Sequence, residues 1–232
     1  MFRWILFSVL TVTNAVAAVS EVSPARLRIA ISDVATFGYS ENGQIKGINY
    51  RIFEQLGKES GVKFSYILYP HARIKSLLPT EDPDLVILFA PACIQNKAEY
   101  EIQERLYQMK SVMYLKASVD PKNKDIRVAR VRGTCTELMT ENVKPENVVE
   151  LADLKQGLAM LELGRIEGVC ALDTVLKYNL KHHPEFNEKM VHFKTELHKA
   201  AFEAVLCRRK NLPVALKARL EKAMKNVDVT IE

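Results

Sequence analysis

The turn Arg132-Gly133-Thr134 is where this sequence comes nearest to a chemical device. It stands between an apolar run, Ile126 to Val131, and a segment readable as a helix through about Asn142. Backbone N–H groups at a strand end and helix start attract carboxylates and other anions. The remaining chemistry-bearing residues are less organised. There is no G-x-S-x-G, H-E-x-x-H or phosphate-binding glycine loop, so no nucleophile elbow, zinc-protease helix or nucleotide cradle is written here. His182 and His183 are neighbours on one helix end and cannot face a common site, so they read as solvated caps; His192 and His198 are the other histidine pair. Cys93, Cys135, Cys170 and Cys207 lack any C-x-x-C spacing, which fits no zinc pattern. No metal and no cofactor are expected.

The elements that must position that turn alternate between strand and helix. Leu27, Ile29 and Ile31 predict a short buried strand, followed by polar loop residues and Asn42-Gly43. Ile48, Ile52, Phe53 and Leu56 form one helical stripe that Gly61 stops, and Lys63 to Leu68 predicts a second strand joined by a right-handed crossover. Ile74, Leu77 and Leu78 share a short helix ended by Pro79. Asp84 to Phe89 reads as a central parallel strand covered on both faces. Residues 92–104 are polar and helix-compatible, and Tyr107 to Lys116 predicts one long strand.

Beyond the turn, Val148 to Leu151 is β-like, and Asp153 can cap a helix carrying Leu154, Leu158 and Leu161. Gly168 to Leu172 predicts a buried strand and the residues from Asp173 to His182 a helix. Met190 to Phe193 and Ala200 to Leu206 read as returning strands. A last helix after Pro213 carries Leu216, Leu220 and Met224. The βα alternation occurs twice, with a crossover near Met109 to Leu115 and a return near Leu197 to Phe202. The simplest architecture is two α/β lobes sharing two hinge strands: lobe 1 from 19–110 and 197–232, lobe 2 from 111–196.

Composition fixes the setting. The 232 residues are 48% hydrophobic, enough to bury a full core. Residues 1–18 pair Arg3 with the apolar run Trp4 to Val12 and the small-x-small sequence Ala15-Val16-Ala17, the pattern of a cleaved secretory signal. The apolar run is far shorter than the ~20 residues of a spanning helix. No cysteine lies near the cleavage site, so the expected product is a periplasmic, non-lipidated monomer with no membrane insertion. The net charge of +5 is mild, and its basic residues are scattered among carboxylates, which argues against nucleic acid. In an oxidising compartment the four cysteines either pair or serve as small buried hydrophobes; Cys135 with Cys170 is the pairing to test.

Asp33 closing the first strand, Phe37-Gly38-Tyr39, Asn42-Gly43 and Gly47-Ile48-Asn49 opening the helix together resemble the start of the extracellular solute-binding proteins, family three, of the polar-amino-acid type. A weaker likeness continues over nearly all of the chain after the signal. The resemblance implies a periplasmic-binding-protein-like fold of type II with a ligand cleft between the lobes. It implies ligand contacts from Asp33, Phe37 and Tyr39, from His71 and Arg73, from Phe89 and Ala90, and from Arg132, Thr134, Cys135 and Asp173. The partners it implies are a small-molecule ligand and an ABC permease or a sensor kinase.

The chain also departs from that pattern. The small hydroxyl residues after the third strand are replaced by Phe89, Ala90 and Pro91, and about Asn96 stands where the family has a carboxylate-forking arginine. Arginine's five-donor fork has no substitute in asparagine. The aspartate that pairs with an amino group aligns to Leu172, with Asp173 one place later. The expectation is therefore a binding protein, not an enzyme, whose small polar or anionic solute differs from an ordinary amino acid. Two alternatives stay open: a dehydratase-like enzyme using Asp33, Asp173 or Glu137, and a ligand-free member whose pocket is filled by Phe89 and His71.

Overall fold

Apolar residues at alternating positions build β1 (Leu27–Asp33), which pairs in parallel with β4 (Phe64–Pro70) on one side and β5 (Leu85–Phe89) on the other. The computed structural model describes residues 26–79, 83–183, 186, 193–198 and 202–231. Residues 1–18, read as a signal, lie outside them. Between β1 and β4 the chain makes a small hairpin, β2 (Tyr39–Glu41) and β3 (Gln44–Lys46). Its turn is Asn42-Gly43, both with positive φ, as a two-residue turn between twisted strands requires. The sequence predicts a polar loop here; the two short strands pair instead.

Helix α1 (Ile48–Ser60) follows, burying Ile52, Phe53 and Leu56 and ending at Gly61 in the left-handed conformation. After β4 come α2 (His71–Leu77) and, beyond β5, α3 (Ala90–Gln95) with Pro91 in its first turn. Here the structure corrects the expected helix over 92–104. The helix stops at Gln95, and β6 (Tyr100–Met109) has already begun at Tyr100. Its polar residues misled the reading because β6 is an edge strand, one side of which faces water while Tyr100, 1% exposed, packs inward. Tertiary pairing overrides local propensity.

The expected long strand over Tyr107–Lys116 is also two strands. β6 ends at Met109 in the first sheet, and β7 (Ser111–Lys116) begins the second, so the chain crosses at Lys110. The second sheet takes β8 (Val128–Val131), β9 (Val148–Leu151) and β10 (Gly168–Leu172), with α4 (Thr136–Asn142), α5 (Leu154–Glu162) and α6 (Asp173–His182) between or after them. Asp153 caps α5, its carboxylate accepting from the Gln156 N–H at 2.9 Å. The return runs through β11 (Phe193–His198), still in the second sheet, to β12 (Phe202–Arg209) in the first, and α7 (Val214–Met224) closes the chain. The expected strands Met190 to Phe193 and Ala200 to Leu206 fall partly on residues 187–192 and 199–201, which lie outside the described residues; their described parts belong to β11 and β12.

The sheet orders are β4-β1-β5-β12-β6 and β11-β7-β10-β8-β9. Each is parallel at its β1 or β10 core and is joined by an antiparallel strand that crosses from the other half. This is a mixed α/β fold of two lobes connected twice. One apolar cluster runs from Ile29 and Phe53 in the first lobe through Met109 and Val112 to Leu158 and Val169 in the second. Disulfides join Cys93 to Cys207 and Cys135 to Cys170, each within one lobe. Of the two readings left open for the cysteines, pairing is the one found, and Cys135–Cys170 is the pair singled out for test.

Candidate functional site

The carboxyl ends of β5 and β10 face one another across the gap, the place where open α/β sheets receive ligands. Two spaces meet there. The larger, of about 610 Å³, has walls from Phe89, Ala90 and Gln95 in the first lobe and from Thr134, Cys135 and Thr136 in the second. Gln108 and Ser111, flanking the crossing at Lys110, form its floor with Phe202 beside the return. The smaller is an apolar slot of about 40 Å³, barely a water or two, between Phe37, His71, Tyr107 and Leu172. Phe89, Ala92, Thr134 and Leu172 belong to both walls.

The slot is narrow because aromatic groups fill it. Phe37 and Tyr107 stack at 6.1 Å with nearly parallel rings. The Tyr107 hydroxyl donates to Asn49 Oδ1 at 2.6 Å, and burial pushes its pKa well above the ordinary phenol value. His71 meets Phe89 edge-on at 6.2 Å, and its Nδ1 lies 2.9 Å from Ser32 Oγ. His71 is therefore held in place by both a ring contact and a hydrogen bond.

The turn Arg132-Gly133-Thr134 is arranged differently from the expectation. The Thr134 N–H donates to the Val131 carbonyl at 3.0 Å and its hydroxyl to the same oxygen at 2.7 Å. The Thr134 carbonyl accepts from Arg130, whose guanidinium also donates to Glu150 at 2.8 Å. Helix α4 starts only at Thr136, after Gly133 and Cys135 both take positive φ. The turn thus spends both Thr134 donors on Val131 and the Arg132 N–H on the Leu151 carbonyl at 3.0 Å, and presents its Thr134 and Cys135 surfaces to the cavity.

The other expected residues fall into two groups. Tyr39 faces a third interlobe space, with its ring 6.0 Å from Tyr178 of α6. Asp33, Arg73, Arg132 and Asp173 line none of the three spaces. Asp33 is exposed, and partial burial alone raises its carboxyl above the ordinary value. The Arg73 guanidinium lies over the Tyr69 ring at 5.7 Å. The Arg132 side chain is 71% exposed and pairs with Glu150 at 3.4 Å. Asp173 pairs with Lys177 at 2.9 Å and reaches Lys110 at 4.0 Å. The Glu137 side chain lies outside the described residues.

Gln95, Gln108, Ser111, Thr136 and Phe202 are cavity residues that the sequence reading missed. Gln108 and Ser111 carry a usable signal, being polar residues on either side of Lys110 where the apolar run crosses between the lobes. Ser111 is 1% exposed, and its Oγ has no hydrogen-bond partner among the described residues. No group of three or more His, Cys, Asp or Glu is placed to hold a metal among the described residues, and no described helix is long and apolar enough to cross a membrane.

Neither a protein-family model nor a curated protein sequence matches the chain. Solved structures do. The arginine-, lysine-, histidine-binding protein ArtJ from Geobacillus stearothermophilus is similar at 17% identity and a TM-score of 0.65, over 87% of this chain and 89% of that one. An ancestral arginine-binding protein bound to arginine is similar at 18% identity and 0.66, over 87% and 91%. A histidine kinase sensor domain with similarity to periplasmic binding proteins is similar at 13% identity and 0.68, over 87% and 89%. These likenesses establish the architecture: the chain has a periplasmic-binding-protein-like α/β fold.

Proposed function

We propose that this chain is a solute-binding protein of the family-three kind, exported by residues 1–18 to the periplasm, that takes a small polar solute between its lobes. The observation that carries the reading is the cavity of about 610 Å³ at the crossing strands, walled by both lobes. Its size is in the range of small-molecule sites. Because both walls and the crossing point contribute, a solute there is contacted by each lobe and biases them toward closure.

The lining narrows the solute. Its polar groups are the amides and hydroxyls of Gln95, Gln108, Ser111, Thr134 and Thr136 and the carboxylate of Glu203, whose charge is taken up by Arg105, beside the rings of Phe89 and Phe202. A bidentate arginine is not among them, and Asn96 turns its amide onto the Ala92 carbonyl at 2.9 Å. A zwitterionic amino acid buried here would leave its carboxylate poorly paired, at a cost of several kcal/mol, roughly 2–5. We therefore assign a neutral or weakly charged polar solute with an apolar body. Phe89, Ala90, Thr134 and Cys135 contact it, with Phe37 and His71 behind them. Asp33, Tyr39, Arg73, Arg132 and Asp173 act at the rim. The chain works as a monomer that hands its state to an ABC permease or a sensor kinase.

A ligand-free module acting through protein contacts is the second reading, favoured by the slot of only about 40 Å³ behind Phe89. Of the three acids the enzyme reading named, Asp173 is paired with Lys177, the Glu137 side chain lies outside the described residues, and Asp33 is the one left to weigh. An exposed acid whose shift comes from partial burial, with no charged partner, lacks the tuning of a proton-transfer site. Calorimetry against pools of neutral polar solutes, amino acids, small carboxylates and aromatic solutes tests the proposal. Saturable heat from a neutral pool supports it; silence from every pool favours the protein-contact module.

A further inference from the structure

The third interlobe space, of about 460 Å³, opens on another part of the gap and shares no lining residue with the cavity at the crossing. One wall is a single face of α6. Thr174, Lys177, Tyr178, Lys181 and His182 recur at i, i+3, i+4, i+7 and i+8, the spacing that puts side chains on one helical stripe. The opposite wall comes from the first lobe, with Thr36 and Tyr39 before α1 and with Gly47, Ile48 and Arg51 at the start of that helix.

The electrostatics of the space point one way. Arg51 lines it from one lobe and Lys177 and Lys181 from the other, and among the described residues no carboxylate lines the walls. Helix α1 adds the positive end of its dipole, with no acidic residue in its first turn to offset it. The neighbouring carboxylates lie outside the lining: Asp228 is 3.6 Å from Arg51, Asp173 is 2.9 Å from Lys177, and Glu41 pairs with Lys46 while feeling the charge of His182. Arg51 also donates to the Thr230 carbonyl. His182 stacks on Tyr178 at 3.9 Å, with Nδ1 2.8 Å from the Tyr178 carbonyl oxygen.

Two features mark the space as built. Thr36 is 6% exposed, holds a φ of 83°, and its Oγ1 has no hydrogen-bond partner among the described residues. A buried hydroxyl without a partner costs stability unless something occupies it. Across from it, Tyr39 and Tyr178 meet between the lobes, and burial together with that contact pushes the Tyr178 hydroxyl up to about 12. Tyr178 thus stays a neutral donor beside the cations.

We propose that this space binds a small multiply charged oxyanion, a phosphate ester or polycarboxylate, which bridges Arg51 to Lys177 and Lys181 and latches the lobes shut. The latch site is separate from the neutral-solute cavity, so either can bind without the other, and two ligands that both favour the closed lobes would help each other bind. Each lobe supplies charge-assisted donors that the separated lobes cannot aim at one anion, so the anion selects the closed form.

The test is calorimetric titration of the full chain with pyrophosphate and with citrate, which separates phosphoryl from carboxylate ligands. We expect saturable binding of at least one, weakening with added salt and accompanied by a smaller radius of gyration in solution scattering. The double substitution Lys177→Gln with Lys181→Gln should weaken it about tenfold or more. Lys122→Gln with Lys155→Gln, the same loss of charge at exposed positions elsewhere, should leave it unchanged. Arg51→Gln repeats the test from the opposite wall should the α6 variant not fold. No saturable binding of either anion, or equal weakening by the control pair, overturns the latch. Neither result bears on the neutral-solute titrations.

Discussion

The ring of Phe89, at the end of β5, lies 5.4 Å from that of Phe202, which opens β12. Phe89 also stands in the wall shared by the slot and the cavity at the crossing, so it sets how much of the gap is usable. Replacing it with alanine should join the two spaces. The half-buried ring suggests a stability loss of about 2 kcal/mol, below the 3–5 of a fully buried phenylalanine. Phe89→Ala should also admit aromatic solutes that the wild type excludes. Denaturant unfolding and the solute panel read both; an unchanged preference would show that Phe89 is not the partition.

Gly133 reports lobe closure. Its φ is 81°, and a Cβ added there would come within 3.3 Å of the Ala72 Cα on the opposite lobe. Alanine meets two penalties at this position, left-handed backbone and interlobe crowding, and only the second depends on closure. Gly133→Ala should lower stability by about 1 kcal/mol and increase the radius of gyration of the unliganded protein. Scattering that matches the wild type would mean the lobes accommodate the methyl without opening.

The two disulfides should contribute unequally. Cys93–Cys207 closes 114 residues of chain and Cys135–Cys170 only 35. Loop-closure entropy then favours the first, at about 5 kcal/mol against about 4. Both cysteines of a pair should be changed to alanine, since all four sites are buried and apolar. Urea unfolding of the two double variants checks the order; a larger loss from the shorter loop would point to folded-state effects.

Acid should unfold the first lobe through Arg208. Its side chain is 6% exposed and donates to Glu101 and Glu221, each at 2.9 Å, while Lys217 reaches Glu101 at 3.0 Å. Burial pushes Glu101 up, but the hydrogen bonds from Lys217 and Arg208 prevail and hold its pKa below 4.5. A depressed carboxylate contributes stability that is present above its unfolded pKa and lost as pH falls through the folded value. The loss should therefore appear below about pH 4.5 and be smaller in Glu101→Gln, which is less stable at neutral pH to begin with. Thermal unfolding from pH 7 to 3 measures this; parallel curves for the two proteins would remove Glu101 from acid denaturation.

Much of the architecture was legible because period and punctuation agreed. The stripe Ile52, Phe53, Leu56 with Gly61 gave α1, and the run ending at Phe89 gave β5. The first crossing, at Lys110, falls inside the stretch from Met109 to Leu115 where the alternation switches; the return runs through residues 199–201, outside those described. What failed was the polar edge: β6 reads as a helix until Glu101 is seen opposite Arg208 in the neighbouring strand. The site was less legible. Phe37, His71, Phe89 and Thr134 stand at the interlobe walls, yet the anion turn at Thr134 folds back onto Val131. Whether a turn's donors face outward is set by backbone dihedrals at Gly133 and Cys135, which composition does not encode.

Ser111 separates stability from binding most sharply. It sits just past the crossing, in register with Leu172, lines the cavity, and its hydroxyl has no partner among the described residues. A buried hydroxyl left unpaired costs free energy in the unliganded protein, and a solute that accepts or donates there recovers it. Ser111→Ala removes the cost and the recognition together. Stability without ligand should hold or rise, by up to about 1 kcal/mol, whereas affinity for the neutral solute should fall about tenfold. Unfolding and calorimetry on the same preparation decide it. A variant that loses stability and keeps its affinity would place the hydroxyl in the scaffold and remove it from the solute's contacts.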